Sequence, residues 1–286
     1  MNELLTSRNG FIELIYPKIR DIERMDISNW LNQIKIWKEK YPICPPEYFQ
    51  EKDVNPYVFV KALSKESNDG DIIVVDTGCT LAWMMQAFDF KKNQRLFHDF
   101  NNTAMGWALP ASIGACFALN RKSITCVTGD GSLLMNIQEL ATVANHQLPI
   151  KIFLINNKGH SMVQQTQDQW LDSKYYATSL EGGVAAPDFS KITEAHGIKS
   201  ISISKNNEID KTIKNIMNHE GPVFCNVMVN PKHRVTPQVK YGKPNEDPEP
   251  LLPREEFFYN MIVEHIDETI ISELISPKDS DPHSGS

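Results

Sequence analysis

The chain has 286 residues, 41% hydrophobic and 23% charged, which is enough apolar material for one large α/β domain with appendages. A formal net charge of −7, with no Lys/Arg run interleaved with aromatics, excludes a nucleic-acid footprint. No run of 18 uncharged apolar residues and no apolar signal core occur, so no membrane span and no signal peptide are expected and the chain reads as cytoplasmic. Cys44, Cys79, Cys116, Cys126 and Cys225 are scattered without C-x-x-C spacing and read as small core residues of a reduced protein.

In chain order, the first 40 or so residues read as helical, most clearly in SNWLNQIKIWKEKYP. There Ser28 is the expected cap, Trp30, Leu31, Ile34 and Trp37 the apolar stripe, and Pro42 the stop. The Pro-rich, polar segment that follows reads as a linker, with a boundary at Pro45 and Pro46. Asn55-Pro56 opens a helix over 56–66, and the short branched run at 72–78 reads as a buried strand. A small-residue helix over 105–120 is expected to be interrupted by Pro110 near its start. A strand at 123–131 leads to a helix over 136–147, for which Asn136 and Glu139 suggest a capping box. Residues 150–157 form a third strand, 189–197 and 207–219 further helices, 222–229 a fourth strand, and 257–269 a helix in the tail.

Strands separated by helices of about a dozen residues imply βαβ units. The expected fold is therefore α/β: a doubly wound, mainly parallel sheet with helices on both faces, binding ligands at the carboxyl ends of its strands. The expected organisation is a helical lead-in over 1–45, a binding domain over 46–230, and an extended tail over 231–286 with one helix and a polar end.

The chemistry is concentrated at two strand ends. Gly129-Asp130-Gly131-Ser132 closes one strand and Asn156-Asn157 the next, and one right-handed crossover between them lets the two strands lie side by side. Asp130 and Asn157 then reach a common ion, and Gly131 lets backbone approach an anion closely. A carboxylate, an amide oxygen and a backbone carbonyl form a sparse oxygen-only shell that suits Mg²⁺ with phosphate ligands. The pattern is neither a G-x-G-x-x-G fingerprint nor a Walker loop.

GDGS followed by NN at this separation, together with AMGWALPASIGA, resembles the diphosphate-binding motif of thiamine-diphosphate enzymes. GDGSLLMNIQELATVANHQLPIKIFLINNKGHSMVQQTQ and the tail PLLPREEFFYNM resemble the acetolactate-synthase branch, over roughly residues 45–260. The resemblance implies thiamine diphosphate and Mg²⁺ as cofactors, with Asp130, Asn157 and the Gly159 carbonyl as metal ligands. It implies diphosphate contacts at Gly129, Gly131 and Ser132, Met105 as the prop of the bent cofactor, and backbone at Thr103 against the aminopyrimidine. Thr80 and Leu81 lie where the family supplies further phosphate contacts, although the Gln-His pair common there is absent.

The implied reaction is 2-keto-acid decarboxylation with carboligation, with a simple decarboxylase subunit or a non-catalytic binding module as alternatives. The family's activating glutamate comes from a separate pyrimidine-binding domain, and no residue here matches it. The catalytic residue is therefore expected on another chain or in further sequence, in an oligomer. Of the remaining polar residues, His98 reads as a half-exposed loop histidine sooner than as an acid–base pair with Asp99, and Glu139 as a helix cap. His160 reads equally as solvent-facing or substrate-facing. Gln164, Gln165 and Gln167 line an entry or solvate a helix, and Trp170, Tyr175 and Tyr176 read as packing residues.

Overall fold

The computed structural model describes residues 13, 15–19 and 25–263. Two compact units are present, 1–42 and 43–286. In the first, residues 15–19 are helical and α1 spans Ser28–Lys40, with Trp30 edge-on to Trp37 at 5.7 Å. Ser28 does not cap α1: the cap position is Ile27, and the Ser28 hydroxyl turns back to donate to Asp26 Oδ1. The rest of the expected N-terminal helix and residues 264–286 lie outside the described residues, and the tail helix expected over 257–269 instead spans Arg254–Asn260, with Met261 already extended.

The second unit begins with a 3₁₀ turn at Pro46–Gln50 and α2 at Pro56–Glu66. Asn55 caps α2, its side-chain oxygen accepting from Tyr57 N at 2.9 Å and Val58 N at 3.4 Å, while Pro56 needs no N–H at the first position. Asn55→Ala is expected to cost about 1 kcal/mol, read as a lowered urea midpoint with an unchanged slope.

There follow β1 (Ile72–Val75), α3 (Cys79–Ala87), β2 (Arg95–Phe97), α4 (Ala108–Ala118), β3 (Ile124–Gly129), α5 (Asp130–Leu133) and α6 (Leu140–Asn145). Then come β4 (Ile150–Asn156), α7 (Ser161–Trp170), α8 (Phe189–Ala195), β5 (Lys199–Ile203), α9 (Ile209–Met217), β6 (Val223–Met228) and α10 (Arg254–Asn260). Pro110 falls in the first turn of α4, where its missing N–H breaks nothing, so it opens the helix and does not interrupt it. The capping box expected at 136–147 is absent. Residues 137–139 form a 3₁₀ turn ahead of α6, Asn136 makes no side-chain cap, and the Glu139 carboxylate accepts from the Thr142 hydroxyl at 3.0 Å.

The six strands pair in parallel in the order β2-β1-β3-β4-β6-β5. Alternation along each strand feeds two cores. Ile73, Val75, Val127, Phe153, Ile155, Cys225 and Val227 point to one face, with Phe59, Trp83 and Ile213 of α2, α3 and α9. Ile72, Val74, Ile124, Cys126, Ile152, Leu154 and Phe224 point to the other, with Leu109, Leu140 and Phe189 of α4, α6 and α8. Both faces are thus covered, which is the doubly wound α/β fold. Cys79, Cys116, Cys126 and Cys225 are buried and Cys44 is half-buried, all as free thiols.

After β6 the chain returns over the first core and buries Val235 there, while Gln165 holds the Val235 backbone at both N–H (2.9 Å) and carbonyl (2.8 Å). Among the described residues no helix is long and apolar enough to cross a membrane.

Candidate cofactor site

From β1 the sheet grows outward to β2 in one direction and to β3 in the other, so the carboxyl ends of β1 and β3 flank a topological switch point. A cleft opens there, lined by Thr77, Gly78, Cys79 and Thr80 after β1, Gly129–Ser132 after β3, and Asn157 and Gly159–Val163 after β4, with Met105 beside them. Gly129 stands opposite Ile155 in the β3–β4 register, which brings Asp130 and Asn157 to neighbouring strand ends.

Asp130 is buried, its Oδ1 accepting from Gly131 N at 2.8 Å and its Oδ2 from Gly159 N at 3.2 Å. Burial pushes its carboxyl up to about 6, opposed by those backbone N–H groups and by the nearby His160. Asn157 is also buried, and its Oδ1 has no hydrogen-bond partner. Two oxygens held at one place, one with a costly charge and one unpaired, fit a hard cation.

Gly131 sits under this pair because nothing larger fits. A Cβ there would overlap the His160 ring and come within 3.2 Å of the Met105 methyl. His160 is half-buried and faces the cleft. Cys79 lines it too, but burial raises its thiol to about 12, so it serves as a small wall residue.

Of the sequence-derived site residues, Thr80, Met105, Gly129, Asp130, Gly131, Ser132, Asn157 and Gly159 are brought together at this cleft, and Thr103 and Leu81 are not. Thr103 is exposed, with φ +49° and its N–H donated to the Asp99 carbonyl at 2.7 Å. Leu81 is half-buried and packs against the core on the α3 side.

His98 is not half-exposed but buried, and its Nδ1–H donates to the Val75 carbonyl at 2.9 Å, not to Asp99. Gln164, Gln165 and Gln167 neither solvate α7 nor line the cleft: all three are buried, with Gln164 and Gln167 bonded to Thr178. Trp170 and Tyr176 are exposed, not packed inside, and Trp170 rests edge-on against Tyr241 at 4.8 Å. Sequence reasoning missed Asp76 and the role of Asn136. The visible signal for Asp76 was a lone carboxylate closing the apolar run IIVV.

Comparison with known proteins agrees with this geometry. The family model for the thiamine pyrophosphate enzyme C-terminal TPP-binding domain matches residues 76–227, just over half of the chain. The acetolactate synthase large subunit of Pyropia yezoensis is 33% identical over 219 residues, covering 77% of this chain and 36% of that protein. The mitochondrial acetolactate synthase of Schizosaccharomyces pombe is 30% identical over 235 residues, covering 81% and 34%. The Escherichia coli isozyme 1 large subunit is 27% identical over 226 residues, covering 79% and 39%. The chain thus spans between about a third and two fifths of the length of these relatives. With its strand-end cleft and that family match, the chain belongs to the thiamine pyrophosphate enzymes and carries their C-terminal TPP-binding domain.

Proposed function

We propose that the chain binds thiamine diphosphate through Mg²⁺ and contributes the diphosphate-binding half of a site that decarboxylates a 2-keto acid and joins the product to a second carbonyl compound. The observation that carries this reading is the buried, unpartnered Asn157 Oδ1 beside the burdened Asp130 carboxylate. Such a pair gains from a dication that completes its shell with phosphate oxygens and water. The acetolactate synthase relatives support the reaction class.

In this reading Asp130 and Asn157 ligate the metal by side chains and Gly159 by its carbonyl. Gly131 and Ser132 bring backbone to the diphosphate, with Thr80 across the cleft. Because the Gly131 N–H already faces Asp130 Oδ1, the glycine contributes chiefly by leaving room. Met105 supports the heterocycle from its side of the cleft, and Val163 and Met162 keep that wall apolar. When bound, thiamine diphosphate supplies the electron sink for the pair released as CO₂ departs. The chain's own residues fix the metal and the diphosphate, so that the reactive ring is held in one place.

The Asn157→Ala variant tests this directly. Its Oδ1 has no protein partner to lose, so the thermal midpoint is expected to stay near wild type. Magnesium-dependent affinity for thiamine diphosphate is expected to fall by roughly tenfold or more in titration calorimetry. Unchanged affinity in a folded variant would sink the proposed site.

A further inference from the structure

Met105 reaches the cleft from a turn and not from a helix, since α4 begins only at Ala108. A methionine is flexible and this one is 39% exposed, so its place depends on the backbone that carries it. That backbone is gripped at the next residue. Gly106 has φ +83°, and a Cβ there would lie 2.8 Å from Met135 Cβ and 3.0 Å from the Ser132 carbonyl oxygen.

Both polar groups of Gly106 are held by side chains. Its N–H donates to Asp76 Oδ1 at 3.1 Å, and its carbonyl accepts from the Asn136 side-chain amide. Asp76 is fully buried and also accepts from Ala108 N at 3.2 Å, the Thr128 hydroxyl at 3.1 Å and Thr77 N at 3.0 Å. One jaw is therefore anchored to the ends of β1 and β3 and to the start of α4. The other jaw follows α5, where Asn136 N donates to the Leu133 carbonyl at 3.2 Å. Asn136 Oδ1 is buried without a partner, and the side chain caps no helix, so the contact it makes is the one to Gly106.

We infer that Asp76 and Asn136 are positioning residues that clamp the Gly106 peptide and thereby set Met105 against the heterocycle of the bound cofactor. This rests on the proposed diphosphate site, yet it makes a separate claim. The clamp acts on the half of the ligand that Met105 meets, whereas Asp130, Gly131 and Asn157 act on the diphosphate and metal. Loosening Gly106 should therefore separate affinity for thiamine diphosphate from affinity for pyrophosphate, which carries no ring.

The experiment is titration calorimetry on the full chain with magnesium pyrophosphate and, separately, magnesium thiamine diphosphate, with thermal melts alongside. Wild type is compared with Asn136→Leu, which keeps the bulk and removes the donor, and with Asp76→Asn. In the folded Asn136→Leu variant, thiamine diphosphate affinity is expected to fall roughly tenfold or more, with pyrophosphate affinity held within about twofold. Asp76→Asn should likewise weaken thiamine diphosphate and spare pyrophosphate, and it guards against a single variant that fails to fold. Equal losses for both ligands would mean a merely structural role and overturn the clamp, as would no loss for either. If wild type binds neither ligand, the diphosphate site itself is wrong and the clamp falls with it.

Discussion

Replacing Asp130 by alanine is expected to lower affinity for magnesium thiamine diphosphate by at least roughly a hundredfold, yet leave the metal-free chain about as stable as wild type near neutral pH. The carboxylate is expensive to the fold. Its folded-state pKa, pushed by burial from 3.8 to about 6, lies above its unfolded value, so the folded chain holds the proton more tightly. Stability from this group is greatest below about pH 4 and falls as pH rises through 4 to 6.

Above that window wild type carries the whole cost, roughly 3 kcal/mol by linkage. Alanine removes this cost but leaves the Gly131 and Gly159 N–H groups without their acceptor, which costs about 1–3 kcal/mol each. The two effects offset each other near neutral pH. At acid pH only the loss remains, so there the variant should be the less stable of the two. Thermal melts across pH 4 to 7 should show wild-type stability falling through the window and a flatter variant. A variant with the wild-type pH slope would show that Asp130 is not the group responsible. In wild type, metal uptake should also weaken as pH falls through about 6, because the cation and the proton compete for the same oxygens.

The parts of this fold that were legible in the sequence share a physical cause. β1, β3, β4 and β6 are the inner strands, largely buried, so they read as predominantly apolar, branched runs even where Thr125, Lys151 or Asn226 interrupts them. The two strands missed, β2 and β5, are the two edges. Arg95-Leu96-Phe97 is too short and too exposed to stand out, and Lys199–Ile203 alternates with serine.

The side chains of α7 were misread for another reason. Its run of glutamines looks like a solvated surface, but Gln164, Gln165 and Gln167 are buried because they satisfy groups on the loops at 178 and 235. Local pattern also misread Asn136, whose spacing from Glu139 imitates a capping box while its amide is used at the Gly106 carbonyl. That Asp130 and Asn157 come to neighbouring strand ends was legible, because strands that pair bring their ends together. Asp76 was not, since its partners lie at 106, 108 and 128 and only the folded chain brings them together.

A separate chain carrying a pyrimidine-binding domain, mixed or co-expressed with this one, is expected to raise CO₂ release from pyruvate by roughly two to four orders of magnitude over this chain alone. The residues lining the cleft include Asp130, Cys79 and His160 but no glutamate, so none of these walls offers the group the family places on the pyrimidine ring. Asp130 is committed to the metal in the proposed reading, and the Cys79 thiol is held protonated by burial. The cleft is also unfinished as a surface. Met105, Met135 and Val163 stand 39%, 59% and 48% exposed at or beside it, where a covering domain would exclude water from the reacting centre. Covering these side chains and supplying the acid are one event, so partner binding and activity should appear together as the partner is titrated. A ligated product would place the reaction with the acetolactate synthases, whereas aldehyde alone would assign a simple decarboxylase. Cofactor binding that stays intact with no gain from any partner would instead leave the chain a binding module, and the proposed catalytic half would be wrong.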